Sequence, residues 1–381
     1  MIRVSSQFDS GNIVVLDGSN PGDIQLEISK DNKSDFYQWF YFRVTGAKGE
    51  LCRFKIVNAG GAAYPSGWEN YQAVCSSDGR LWKRIETKYV EGVLEFTCKP
   101  DSDAVYIAYF APYSQERHAN LISRMLQTEN VRLEVLGKTI DGRDMDLLHI
   151  GEPGPSKLNI WTIARQHPGE TMAQWWMEGF LTQLIDENSN AAKGLLERAV
   201  VHVMPNMNPD GSFRGHLRTN AVGSNLNREW LEPSMKRSPE VYLTREKMYS
   251  VGVDFCLNVH GDEALHYNFI AGTEGVPSWN GQRQAKLERF KQLLKIYSPD
   301  FQTDYGYPPN KAGAANMSFC SNYIAENFGC PAMTLEMPFK DSAITPEPEF
   351  GWSPGRASEL GKSCVLAIAD FYVEQFGTIN N

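Results

Sequence analysis

His167 and Glu170 are the first residues whose types and spacing could do chemistry. They stand three apart in "NIWTIARQHPGETMAQWWMEGF" (159–180), joined by Pro168 and Gly169. The apolar run before them stops at Ala164 and a helical pattern follows, so the pair falls at a strand-to-helix turn. An ordinary turn histidine beside a first-turn glutamate, favoured by the helix dipole, accounts for both. A Pro-Gly turn can also aim both side chains at one point above a sheet. A catalytic zinc takes three protein ligands and keeps one position open for water, and two histidines with a glutamate form one such set. A second histidine is then needed. His260 closes the apolar run "DFCLNVH" and precedes Gly261; it is either that ligand or a hydrogen-bonded strand-end group.

Metal-assisted hydrolysis also needs a general base for the attacking water. Glu336 sits inside the apolar segment "CPAMTLEMPF". A carboxylate among apolar neighbours is unfavourable unless it is paired or functional, so an arginine partner is the alternative reading. Three arginines, Arg214, Arg218 and Arg228, follow a Pro-Asp-Gly turn in "NPDGSFRGHLRTNAVGSNLNREW". A solvated loop would explain them. Arginine is also the permanently charged fork that grips a carboxylate, which suits a hydrolase that recognises a free C-terminus.

These residues need a scaffold. From about residue 115 onward, strand-like runs ("LNIWTIA", "AVVHVMPN", "DFCLNVH", "PAMTLEM") alternate with helical stretches at 171–186, 238–249, 281–297 and 355–376. "ERHANLISRMLQT" reads as a further helix, and "VRLEVLGKTIDGRDMDLLHIGE" as a hairpin turning at Asp141-Gly142. Near-continuous apolar strands under helices on both faces mark an α/β domain with a mixed central sheet. Ligands bind such sheets at the strand C-termini, and four strand ends carry polar residues: His167 with Glu170, Asn206, His260 and Glu336. Residues 1–115 differ. "FYQWFYFRVTG" and "LCRFKIVNAGG" alternate with period two, and two more strands flank a turn at Pro100-Asp101. An all-β antiparallel sandwich domain over 1–115 therefore precedes the α/β domain over 116–381.

The length of 381 residues fits two domains. No run of eighteen apolar residues occurs, no secretory signal is recognisable, and no Lys/Arg cluster resembles a nucleic-acid footprint. The net charge of −9 also disfavours a polyanionic partner. The expectation is a protein with no membrane and no nucleic-acid partner. Seven scattered cysteines without a CxxC suggest neither a disulfide framework nor a thiolate metal site, and fit a reducing cytoplasm.

Taken in order, "HPGE", "NPDG", "LNRE", "NVHGDE" and "TLEMPF" resemble the zinc metallocarboxypeptidases, and within them the cytosolic carboxypeptidase branch. "WFYFRV" and "AYFAPYS" resemble the β-domain that precedes the catalytic domain in that branch. The resemblance implies hydrolysis of C-terminal residues from peptides or proteins with one zinc per chain. His167, Glu170 and His260 would be its ligands. Glu336 would be the general base and then the general acid. Asn227 and Arg228 would hold the terminal carboxylate, and Arg218 would polarise the scissile carbonyl. The sequence departs from the family pattern at three places. Asn225 stands where an aspartate usually partners the first zinc histidine. Pro309 stands where many members carry a mobile tyrosine, with Tyr307 nearby. Asn316 replaces the basic residue of the glutamate-specific members, with Lys311 close to it. The same zinc set and Asn-Arg pair would also serve an N-acyl-amino-acid deacylase of the aspartoacylase type, and a non-catalytic zinc-binding module is the third reading.

Overall fold

The structure, a computed structural model, describes residues 2–373; the last three residues of the helix expected over 355–376 lie outside the described residues. Period-two alternation produces the N-terminal sandwich. In the strand Cys52–Ile56, Cys52, Phe54 and Ile56 are buried while Arg53 is exposed. One five-stranded sheet runs Arg3–Ser5, Tyr41–Thr45, Ala104–Ala108, Val74–Ser76, Lys83–Arg84. The other runs Val14–Asp17, Ile24–Glu27, Cys52–Ile56, Val93–Cys98, Thr87–Val90. Phe42 of the first faces Phe54 of the second at 5.7 Å between ring centroids, and Phe96 stacks on Phe54 at 5.5 Å. Two details differ from a simple antiparallel sandwich. Ile24–Glu27 pairs in parallel with Cys52–Ile56, because the chain between them first crosses to the other sheet through Tyr41–Thr45. The turn at Pro100-Asp101 likewise carries the chain from one sheet to the other and closes no hairpin.

The second sheet system is one seven-stranded mixed sheet, in the order Val131–Lys138, Asp144–Ile150, Ala199–Met204, Leu158–Ala164, Phe255–Asp262, Ala332–Pro338, Phe269–Ala271. The four strands Ala199–Met204, Leu158–Ala164, Phe255–Asp262 and Ala332–Pro338 are mutually parallel; Asp144–Ile150 on one side and Phe269–Ala271 on the other run against them, and the edge strand Val131–Lys138 pairs antiparallel with Asp144–Ile150. These are the apolar runs of the sequence, and Ala199–Met204 and Phe255–Asp262 are buried at every position. The expected hairpin forms, with Gly142 at φ 83°.

The helix Met172–Leu184 lies against the C-terminal helix Pro354–Val373. Their approach needs glycine on both sides. A Cβ on Gly179 would stand 1.9 Å from the Ser358 carbonyl oxygen, and one on Gly361 2.1 Å from that of Trp176. The helices Asn190–Arg198, Pro209–Arg214 and Cys320–Phe328 and the strand Phe269–Ala271 were not anticipated. The shortest, Pro209–Arg214, spans under two turns and is set by local chemistry rather than periodicity. Proline opens it, and the Asn208 side chain caps Gly211 N at 3.0 Å.

Parallel direction puts four strand C-termini along one edge of the sheet. The chain leaves Leu158–Ala164 toward Ala199–Met204 on one side, then returns to Phe255–Asp262 on the other. The crevice between Leu158–Ala164 and Phe255–Asp262 is therefore a topological switch point, where open α/β sheets bind ligands.

Candidate metal centre and substrate cavity

His167 and Glu170 follow the strand Leu158–Ala164, and His260 lies within Phe255–Asp262, so both sides of the switch point supply donors. All three are buried, at 3 %, 2 % and 1 % exposure. Their candidate ligand atoms lie within 4.8 Å of one another. His167 Nδ1 is 2.6 Å from Glu170 Oε1, His260 Nδ1 is 2.7 Å from Glu170 Oε2, and the two Nδ1 atoms are 3.1 Å apart. The Pro-Gly turn brings this about. Gly169 N donates to the Leu217 carbonyl at 2.8 Å, and a Cβ on Gly169 would fall 2.9 Å from that same oxygen.

The tautomer of His167 follows from its other nitrogen. Nε2 lies 3.1 Å from Asn225 Oδ1, which only accepts, so the proton sits on Nε2 and Nδ1 presents a lone pair. Burial, reinforced by the Arg218 guanidinium, pushes the His167 pKa down to about 3, which keeps the ring neutral. Two imidazole nitrogens and a carboxylate thus crowd one point, with a lone pair from His167 among them. Such acceptors repel one another unless a cation lies between them. This donor set suits a tetrahedral divalent metal with one position left open.

Glu336 is the register partner of His260 on the adjacent strand. It is buried, its Oε2 has no hydrogen-bond partner, and no arginine pairs with it among the described residues. Burial pushes its carboxyl well above the usual range, and the nearby Glu170, Asp262 and Glu263 add to the effect.

A cavity of about 610 Å³ opens over these groups. Arg218, Asn227 and Arg228 reach it, whereas Arg214 is turned away and grips Asp141 at 2.7 and 3.0 Å. The Arg218 guanidinium lies 5.3 Å from the Tyr64 ring centroid and 5.6 Å from that of Phe36. Asn227 Oδ1 accepts from Cys320 N at 3.0 Å, which leaves its amide N–H groups available to another acceptor. Arg228 donates to the Asn227 carbonyl at 2.8 Å and lies 3.6 Å from the Phe319 ring centroid. Burial and then the neighbouring Arg218 lower its pKa to about 10, so it stays charged at neutral pH.

Other residues take unexpected places. Asn206 stays within its own turn, where it accepts from Asn208 N at 3.0 Å. Asn316 and Lys311 do not line the cavity; Asn316 accepts from Ser318 N at 3.0 Å. Tyr307 does line it and donates to Asp262. Asp262 and Glu263 lie inside "NVHGDE", beside the metal-type donors, and that adjacency was their only signal. Tyr64 and Ser66 enter the cavity from the N-terminal domain, which no local pattern announced. Glu274, Glu288 and Lys291 also line it. Lys291 is matched by Glu288 at 2.9 Å, while Glu274 has no basic partner among the described residues.

Two family models match the chain: "Cytosolic carboxypeptidase N-terminal domain" over residues 4–110, and "Zinc carboxypeptidase" over residues 123–350. An uncharacterised protein of Zymomonas mobilis is 50 % identical over 371 residues, covering 97 % of this chain and 96 % of its own. The crystal structure of a metallo-carboxypeptidase from Burkholderia cenocepacia superposes with a TM-score of 0.96 at 43 % identity, covering 99 % of this chain and 100 % of its own. A metallo-carboxypeptidase from Pseudomonas aeruginosa, in complex with (2-guanidinoethylmercapto)succinic acid, gives 0.94 at 44 % identity, with 97 % and 98 % coverage.

Proposed function

The chain belongs to the zinc carboxypeptidase family, and on that premise we propose how its residues divide the removal of C-terminal residues from peptides or proteins. His167, Glu170 and His260 would hold one zinc, their candidate donor atoms converging within 4.8 Å of one another. When bound, that zinc supplies Lewis acidity for the scissile carbonyl and acidifies a water in its open position.

Glu336 accepts the proton as the water oxygen bonds to the carbonyl carbon. It returns that proton to the amine nitrogen as the C–N bond breaks. Its Oε2, which no other group engages among the described residues, is free to take that proton and hand it on. Arg218 faces the oxygen on which negative charge develops, where a fixed donor contributes most. Asn227 and Arg228 hold the terminal carboxylate, the free amide N–H of one and the charged fork of the other converging on it.

The single observation carrying this reading is the convergence of His167, Glu170 and His260 at the floor of a cavity that also receives Glu336, Arg218 and Arg228. The deacylase reading and the non-catalytic reading have no such observation of their own.

The cavity also bears on the preferred terminal residue. With Lys291 matched by Glu288, the unpaired Glu274 leaves negative charge on the cavity wall and favours a lysine or arginine end over a glutamate end. Gly272 makes room for it: a Cβ there would stand 2.4 Å from Glu274 Oε2. The guanidino group named in the Pseudomonas aeruginosa complex is consistent with this choice.

We assign the chain to the cytosolic carboxypeptidase branch, and with it to the cytoplasm, on the N-terminal model matched over residues 4–110. No described helix is long and apolar enough to cross a membrane.

Peptides differing only in a free or amidated C-terminus test the proposal. Release of the terminal residue from the free form alone, in enzyme carrying one zinc per chain, is the expected result. Equal cleavage of the amide would remove the carboxylate clamp from the mechanism.

A further inference from the structure

Asp31 belongs to the N-terminal domain, yet its carboxylate is buried under the segment that carries Arg218. Asp31 Oδ1 accepts from Leu217 N at 2.7 Å. Oδ2 accepts from Arg218 N at 2.8 Å, Thr219 N at 2.9 Å and Thr219 Oγ1 at 3.0 Å. Three consecutive backbone N–H groups curl around one anion, as in the concave nests that bind phosphate. Both oxygens only accept, which is the pattern of the ionised form. Burial raises the carboxyl pKa, and the three backbone N–H groups act against that rise.

The same domain grips both ends of the segment. Asn12 Nδ2 donates to the Gly215 carbonyl at 2.9 Å, and Asn32 Nδ2 donates to the Ala221 carbonyl at 2.7 Å. Asn32 N donates to His216 Nε2 at 3.1 Å. The fit is close enough to require glycine at two left-handed positions. A Cβ on Gly215 (φ 69°) would meet the Gly11 carbonyl oxygen at 2.6 Å, and one on Gly223 (φ 83°) would meet that of Lys33 at 2.4 Å. Phe36 and Tyr64 then flank the Arg218 guanidinium. The N-terminal domain therefore fixes Arg218 by both its backbone and its head.

We propose that Asp31 is a positioning residue for catalysis, acting through Arg218 by holding the backbone of residues 217–219. This rests on the reading that Arg218 acts at the scissile carbonyl. A guanidinium has to meet the developing oxyanion within a few tenths of an ångström to be effective. Its own segment carries few apolar anchors, so an external clamp sets its place.

The test is a double-mutant cycle on the zinc-loaded full chain, with kcat and KM measured on a free-carboxylate peptide. Asp31→Asn sets an amide N–H against at least one of the three backbone N–H donors, whichever way the amide turns. It should lower kcat about ten- to a hundredfold and leave KM and zinc content close to wild type. In an Arg218→Ala background the same change should have almost no further effect, because the group it positions is gone. Thr219→Val removes one of the four bonds to Asp31 and provides the same cycle should Asp31→Asn fail to fold. Equal factors from either variant in both backgrounds would reduce Asp31 to a stabilising residue and overturn the inference. An unchanged kcat in Arg218→Ala alone would instead overturn the role of Arg218.

Discussion

His167 donates through Nε2 to the side-chain oxygen of Asn225 across 3.1 Å, and this bond fixes which ring nitrogen is left to face Glu170 and His260. An amide oxygen orients the imidazole as a carboxylate would, without lending it negative charge. Such partners shift metal affinity about ten- to a hundredfold when changed. Asn225→Asp should therefore tighten zinc binding by about tenfold, and Asn225→Ala should loosen it by a similar factor. Chelator competition on the purified protein measures both. Equal zinc affinity in all three proteins would show that Asn225 does not govern His167.

Glu336 touches neither imidazole through its side chain among the described hydrogen bonds, so its loss should leave the donor set intact. Glu336→Gln should keep one zinc per chain and lower kcat by about a thousandfold, the middle of the range for a general acid–base group. Elemental analysis beside steady-state rates on one peptide checks this. Turnover at the wild-type rate would remove Glu336 from the proton transfer.

The unpaired carboxylate of Glu274 predicts a charge preference that one substitution should abolish. In Glu274→Gln, kcat/KM for peptides ending in lysine or arginine should fall by about tenfold, the scale of a lost charge-assisted hydrogen bond. Peptides ending in leucine should change little. A panel varying only the terminal residue gives both numbers. If glutamate ends are the best substrates of the wild type, the assignment of Glu274 fails.

Glu240 gives a pH-dependent stability away from the metal. Its carboxyl is fully buried at the start of the helix Pro239–Val251 and accepts from Asn220 Nδ2 at 3.2 and 3.3 Å. Burial raises its pKa from 4.5 to about 8, with Asp210 and Asp141 adding to the rise. The folded state holds this proton more tightly than the unfolded chain. The contribution is therefore complete below pH 4.5 and is lost as pH rises through about 8. Glu240→Gln should remove that slope and be the more stable protein at pH 8, by on the order of a few kcal/mol. Denaturant titrations at pH 5 and pH 8 measure it; parallel loss of stability in both proteins would refute it.

Much of this protein can be read from its sequence, because local rules act on its elements directly. Period-two alternation set the inward residues of Cys52–Ile56. Apolar runs marked the four parallel strands, and Pro168-Gly169 marked the turn that carries His167 and Glu170. The apolar runs placed His260 and Glu336 at strand ends, and the structure makes those strands neighbours and the two residues register partners. Residue type alone could not separate Arg214 from Arg218. Both follow the same Pro-Asp-Gly turn, and only packing sends the first to Asp141 and the second to the cavity.

What the tertiary structure alone decided lies in contacts between residues far apart in the chain. Asp31 reaches residues 217–219 across more than 180 positions, and Tyr64 reaches the cavity from the other domain. Neither has a periodic or spacing signature, since nothing within a turn or two of the chain determines it. The pairing of Lys291 with Glu288 is local, but that Glu274 lines the same cavity without a basic partner among the described residues depends on which faces close it. Sequence determined the chemistry available at the strand ends, because residue types and strand direction are local properties. Tertiary packing determined how firmly that chemistry is held, because a buried carboxylate is satisfied only by whatever donors the fold brings to it.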